Sequence, residues 1–271
     1  MSRARLVILA FVSIALSASA QLDGTASTGV SASLIRLFGT NNNFSAQVEM
    51  QLLGKDNKEV VSMPMTFLLQ TNKIRVEVEM ARMKNKLQPD ALARVKPLGM
   101  DSVVSIIRPE KRTTLIAFPK LRSFVKLDMP SQEAEAFLTR AKIERKTLGQ
   151  EKMEGHACVK QQVVITDDAG HKSEATVWTA RSLRDFPVVV ATKEAEGTVV
   201  MRFRQIQFTA IDAGKFEPPQ GFVESSDMQA LMAGPVKKFG KDNNTGVTPS
   251  KPAKNTTTNR SSKPANTKPA K

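Results

Sequence analysis

FSAQVEMQLLGKDNKEVVSMPMTFLLQTNKIRVEVEM, residues 44–80, decides the fold. Phe44, Ala46, Val48, Met50 and Leu52 alternate with Ser45, Gln47, Glu49 and Gln51. Val61, Met63, Met65, Phe67 and Leu69 repeat the pattern, and Ile74, Val76, Val78 and Met80 alternate with Arg75, Glu77 and Glu79. Period-two alternation puts one apolar face and one wet face on an antiparallel sheet. Gly54-Lys55-Asp56-Asn57-Lys58 and Thr71-Asn72-Lys73 are short and polar, as hairpin turns are. Three strands in a row therefore form a meander whose apolar face needs a cover.

Working outward, a short amphipathic helix is expected over 30–38, with Leu34, Ile35 and Phe38 on one face and Gly39 as its stop. After the meander, Pro89, Leu92 and Val95 predict a helix over 87–98. Strands follow over 103–107, 113–118 and 123–129. A helix over 131–141 comes next, capped at Pro130-Ser131, with Ala134, Phe137, Leu138 and Ala141 on its apolar face. Past Gly149 the chain is strand-rich. Residues 158–166 and 172–179 pair across Asp167-Asp168-Ala169-Gly170, 183–187 makes one helical turn, and 188–192 with 198–208 forms a last hairpin. Phe216 to Phe222, with Pro218-Pro219, reads as a rigid extended peg. The class is α+β.

The ends differ from the body. Arg3 and Arg5, an apolar run over 6–16 and Ala18-Ser19-Ala20 read as a cleaved signal peptide over 1–20, and no cysteine follows the apolar run. Residues 21–29 form a flexible segment, 30–232 the folded domain and 233–271 a disordered basic tail. The whole chain of 271 residues has a formal net charge of +14. From Lys237 onward nine Lys or Arg stand against the single acid Asp242, so the tail carries most of that excess. An anionic envelope surface is the expected partner of the tail, and no specific nucleic acid is expected at the body. A periplasmic or secreted monomer follows.

Catalytic chemistry is thinly supplied. One cysteine, Cys158, and two histidines, His156 and His171, exclude an internal disulfide and a thiolate metal site. Asp167, Asp168 and His171 fall in a tight turn, where Asp and Gly serve the backbone. His156 and Cys158 share a strand face without an orienting third group. No phosphate loop, nucleophile elbow or zinc helix occurs, so no enzyme, metal or cofactor is expected. Glu77 and Glu79 are expected to be solvated. The inward set Val48, Met50, Met63, Met65, Phe67, Val76, Val78 and Met80 is either ordinary core filling or the candidate ligand-lining face, because methionine fills gaps and adapts to variable apolar shapes.

Several stretches carry a resemblance. They are Ser62-Met63-Pro64-Met65-Thr66-Phe67 with 74–80, Val104-Ser105-Ile106-Ile107-Arg108-Pro109-Glu110-Lys111, Gly155-His156-Ala157-Cys158-Val159-Lys160, Val177-Trp178 with Asp185-Phe186-Pro187, and Phe216-Glu217-Pro218-Pro219. In this order, over residues 30–223, the chain resembles the LolA-like lipoprotein-carrier fold and, within it, an uncharacterised bacterial family. The resemblance implies a strongly curved antiparallel sheet, an open half-barrel, with short helices across its concave face. It implies an exported domain that holds an apolar ligand, an acyl chain or a lipoprotein. The long basic tail departs from that pattern.

Overall fold

The computed structural model describes residues 31–85, 90–168, 170–195 and 197–233. The expected signal peptide over 1–20, the 21–29 segment, Val30 of the expected first helix and the expected tail past Ala233 lie outside the described residues, as do 86–89 of the expected second helix and Ala169 of the Asp167 turn.

The meander forms as the alternation requires. Strands β1 (Asn43–Leu53), β2 (Glu59–Gln70) and β3 (Lys73–Glu79) pair antiparallel, and their apolar residues are buried on one face. β3 stops at Glu79; Met80 opens a 3-10 turn, Met80–Arg82, and is only half-buried. Pro64 supplies the reason. It has no N–H to give a ladder, and the β2–β3 pairing ends beside it at Met65–Val78. The chain leaves the sheet for one turn and rejoins β2 as β4 (Lys84–Asn85), opposite Val61 and Ser62.

The next three strands are β5 (Ser102–Arg108), β6 (Thr113–Phe118) and β7 (Ser123–Asp128), then β8 (Lys142–Met153), β9 (His156–Thr166), β10 (Lys172–Ala180), β11 (Phe186–Glu194) and β12 (Gly197–Gln207). A short β13 (Val223–Ser225) lies parallel to β7; every other pairing is antiparallel. The sheet order is β13-β7-β6-β5-β3-β2-β1-β12-β11-β10-β9-β8, one unclosed and strongly curved sheet with β1 and β12 joined at its middle. The α+β half-barrel is thus observed.

Among the described residues four short helices, α1 (Ala32–Leu37), α2 (Ala91–Val95), α3 (Ser131–Leu138) and α4 (Met228–Ala233), join this sheet. In α1, Ser31 caps Leu34 N–H, and Leu34, Ile35, Leu37 and Phe38 are buried. α2 is shorter than expected and passes at Lys96 into a 3-10 turn, Lys96–Leu98, that Gly99 ends in the left-handed region. α3 corrects two expectations. Pro130, not Ser131, occupies its cap, and the Ser131 hydroxyl instead accepts from Arg112. It stops at Leu138 rather than 141, and Leu138 is exposed.

Two further departures follow from tertiary packing. All seven residues of β5 are buried, because the segment after β12 crosses the outer face there. Phe216 ends a 3-10 turn, Ala213–Phe216, and packs fully buried among Val104, Ile106, Leu115, Ala117 and Phe124. Gln70, Arg75 and Arg108 hold the crossing by bonds to Ile211 O, Lys215 O and Glu217. The expected peg is therefore a clamp over the outer face. β8 runs twelve residues, beginning before Gly149, and is mostly exposed as an edge strand. The expected turn at 183–187 is a 3-10 turn at Arg181–Leu183, with β11 already begun at Phe186.

Candidate functional site

The inner face divides along the strand direction. At one end Phe38 sits against Phe44, Phe186 and Phe203, with ring centroids 4.8, 5.4 and 5.3 Å away. Phe67 stacks on Phe44 at 5.7 Å. All five rings are buried, and α1 reaches them through Phe38, which directly follows the helix. Further along the same strands the aromatic rings give way to thioethers. Register places Met201, Met50 and Met63 directly opposite one another across β12, β1 and β2, and puts Met65 opposite Val48.

Seven of the eight expected lining residues, Val48, Met50, Met63, Met65, Phe67, Val76 and Val78, are buried in one inner cluster. Met80 packs instead on a second cluster with Val95, Met100, Val103 and Ile116. Met201, Phe203 and Phe186 join the first cluster although sequence reasoning did not select them. The alternation Val199, Met201, Phe203 was visible; its place beside β1 was not. A polar group also stands on this face. Ser105, between Val103 and Ile107 on β5 and opposite Val76, is buried with no partner for its hydroxyl.

The cover is tied by one guanidinium. Arg36 of α1 donates to Ala136 O of α3 at 2.8 Å and to Thr139 O and Oγ1 just past it. These bonds satisfy carbonyls at the end of α3, where a cation is favoured. Arg36 Nε is buried without a partner.

The candidate reactive groups are placed elsewhere. Cys158 is buried, its thiol donates to His156 O, and burial pushes its pKa up. The His156 ring meets Ser182 Oγ at 3.3 Å rather than the sulfur. Asp167 takes the His171 backbone N–H and ring within its turn. Among the described residues no cluster of three or more His, Cys, Asp or Glu can hold a metal. Glu77 and Glu79 are not simply solvated: Arg75 donates to the first and Ser102 to the second.

The outer face of β1, β2 and β12 carries a polar chain of bonds. Ser62 donates to Glu49, Arg204 bridges Glu49 and Glu154, and Arg202 joins Glu154 to Gln51. Glu154 lies in the β8–β9 turn, and β10 and β11 separate β9 from β12 in the sheet. The hairpin tip therefore reaches across the outer surface. Burial raises the Glu154 pKa, but Arg204 and Arg202 outweigh it and leave the carboxyl below its ordinary value.

No family model matches the chain, and no curated protein matches it. Among solved structures, it is similar to a LolA superfamily protein from Nitrosomonas europaea, with 12% identity, TM-score 0.35, and 70% of this chain and 98% of that one covered. The lipoprotein LppX from Mycobacterium tuberculosis gives 14%, 0.38, 67% and 96%. A putative outer membrane lipoprotein-sorting protein domain from Vibrio parahaemolyticus gives 12%, 0.33, 67% and 92%. The first bears the family name that the stretches from Ser62 to Pro219 resemble. The architecture described above rests on this chain's own strand order and burial.

Proposed function

We propose that this is an exported, periplasmic or envelope-associated binding protein that holds an apolar, chain-like ligand against the inner face of its open sheet and performs no chemistry on it. The observation that carries the reading is the methionine row on an unclosed sheet, with short helices as its cover. Val48, Met50, Met63, Met65, Phe67, Val76, Val78 and Met80 are the proposed lining. Flexible thioethers re-pack around variable apolar shapes, and a lining with few polar anchors suits an acyl chain, free or on a lipoprotein, better than a polar metabolite. Among the described residues no helix is long and apolar enough to cross a membrane.

Native mass spectrometry of the mature protein tests the reading directly: a co-purifying lipid is expected, and an empty chain under lipid-rich expression counts against it. Met65→Lys is expected to fold, with its ammonium reaching the opening, and to lose uptake of an environment-sensitive acyl probe. Retained uptake in a folded variant moves the pocket elsewhere; failure to fold makes the face a closed core.

A second reading is favoured by the tail's charge. Nine cations against one acid suit docking of a non-catalytic scaffold to an anionic surface. In that case removing 234–271 abolishes envelope association and leaves acyl uptake absent throughout.

A further inference from the structure

On the face opposite the methionine row, β1 and β2 are bordered by two interruptions of the ladder. On one side Pro64 ends the β2–β3 pairing, and the turn Met80–Arg82 carries Arg82 and then Lys84 to the rim. On the other side β12 holds one residue more than β1 between the pairs Ser45–Gln207 and Gln47–Arg204. Gln205 lies in that bulge with φ 49°. A non-glycine residue in the left-handed region is strained, and bulges re-aim side chains. Between the two interruptions lies a groove of about 510 Å³, lined by Arg82, Lys84, Ser62, Pro64, Glu49, Arg204 and Gln205, with Gln47 and Val48 of β1 at its floor.

The groove's charge is one-sided. Among the described residues its only carboxylate, Glu49, is already occupied: one oxygen accepts from Ser62 Oγ at 3.1 Å and the other from Arg204 Nη1 at 3.0 Å. Arg204 is in turn held by Glu154 at 2.6 Å. Arg82 and Lys84 are exposed, and their side chains make no ion pair with a described residue. The groups left to meet a ligand are a guanidinium, an ammonium and the Gln205 amide, the first two purely donors.

We propose that this groove binds a phosphate group, carried by a small soluble ester or a phospholipid headgroup. A guanidinium fork beside an ammonium matches phosphate oxygens, and the volume lies within the range of small-molecule sites. Val48 borders both regions, but the ligand-facing side chains Arg82, Lys84 and Gln205 are not part of the proposed acyl lining.

The test uses the full mature chain at physiological ionic strength, with glycerol phosphate by calorimetry and phosphatidylglycerol vesicles against phosphatidylcholine vesicles by sedimentation. The basic tail is common to all proteins compared, so differences between them report the groove. The double variant Arg82→Gln, Lys84→Gln is expected to weaken binding about tenfold or more, the equivalent of one to two charge-assisted bonds. Gln205→Gly, which keeps the left-handed bulge and removes the amide, is expected to weaken it about threefold. Both are expected to keep the thermal midpoint and acyl-probe uptake of the parent. A loss for glycerol phosphate assigns a soluble ester; a loss confined to vesicles assigns a lipid headgroup. Equal affinity in parent and double variant with both probes, or no saturable binding to either, overturns the proposal.

Discussion

Phe38, Phe44, Phe67, Phe186 and Phe203 close one end of the inner face, while Met50, Met63, Met65 and Met201 occupy the neighbouring rows of the same strands. Both regions are buried, so burial alone does not tell them apart. Their side chains do. A phenyl ring has two torsions and a fixed shape, and five rings in mutual contact lock one another. A methionine has three torsions and a polarizable sulfur, and it re-packs when its neighbours change. One sheet therefore presents a fixed knot beside a yielding surface, and α1 is anchored at the knot through Phe38.

Substitutions at the two ends should cost different amounts of stability. The largest effect is expected at Phe67, which is fully buried and touches three other rings. Phe67→Ala is expected to lower stability by about 3–5 kcal/mol in urea titrations. Met63→Ala, in the row beside it, is expected to cost about 2 kcal/mol, because its neighbours collapse into the space. Equal losses at the two sites would make the methionine end as rigid as the aromatic one. Acid offers a third probe, since neither set of residues carries a carboxylate. Glu154 is held below its ordinary pKa by Arg204 and Arg202 against the effect of burial. Hydrogen bonding from Lys120 lowers Asp101 in the same direction. A depressed folded pKa means stabilisation that is complete above the ordinary carboxylate range and is lost as pH falls through the lowered folded value. The urea midpoint should decline over that interval, and Glu154→Gln should flatten part of the decline while lowering stability at neutral pH by about 1 kcal/mol. The smallest effect is expected from Met50→Leu, a volume-conserving swap that should cost well under about 1 kcal/mol. On the ligand-binding reading, that variant narrows the range of acyl probes taken up while the midpoint barely moves.

Legibility followed exposure. β1 to β3 were readable because each has one buried and one wet face, which writes period two into the residues. β5 was readable as an apolar run, but the clamp that buries its second face was not, since Phe216 lies more than a hundred residues away in the chain. Most of β8 was missed because it is an edge strand. Its residues are mostly exposed and half of them are charged, which protects a sheet edge from foreign pairing and erases the alternation. Of the inner cluster, the β1 to β3 members were legible. Met201 and Phe203 could not be added without knowing that β12 returns to β1. The phosphate groove was hidden for a related reason: its walls come from β4 and β12, which meet only across the sheet.

Local chemistry in the residue string determined the strands of the meander, the side each presents inward, the stop of α1 at Gly39, and the scarcity of catalytic groups. These depend on near neighbours: side-chain periodicity, turn residues and composition. Tertiary structure alone decided that β1 and β12 join the two halves, that α3 ends where Arg36 takes its carbonyls, and that Pro64 and Gln205 border one groove. Each of those outcomes pairs groups distant in sequence, and a pairing of that kind leaves no periodic trace in either partner.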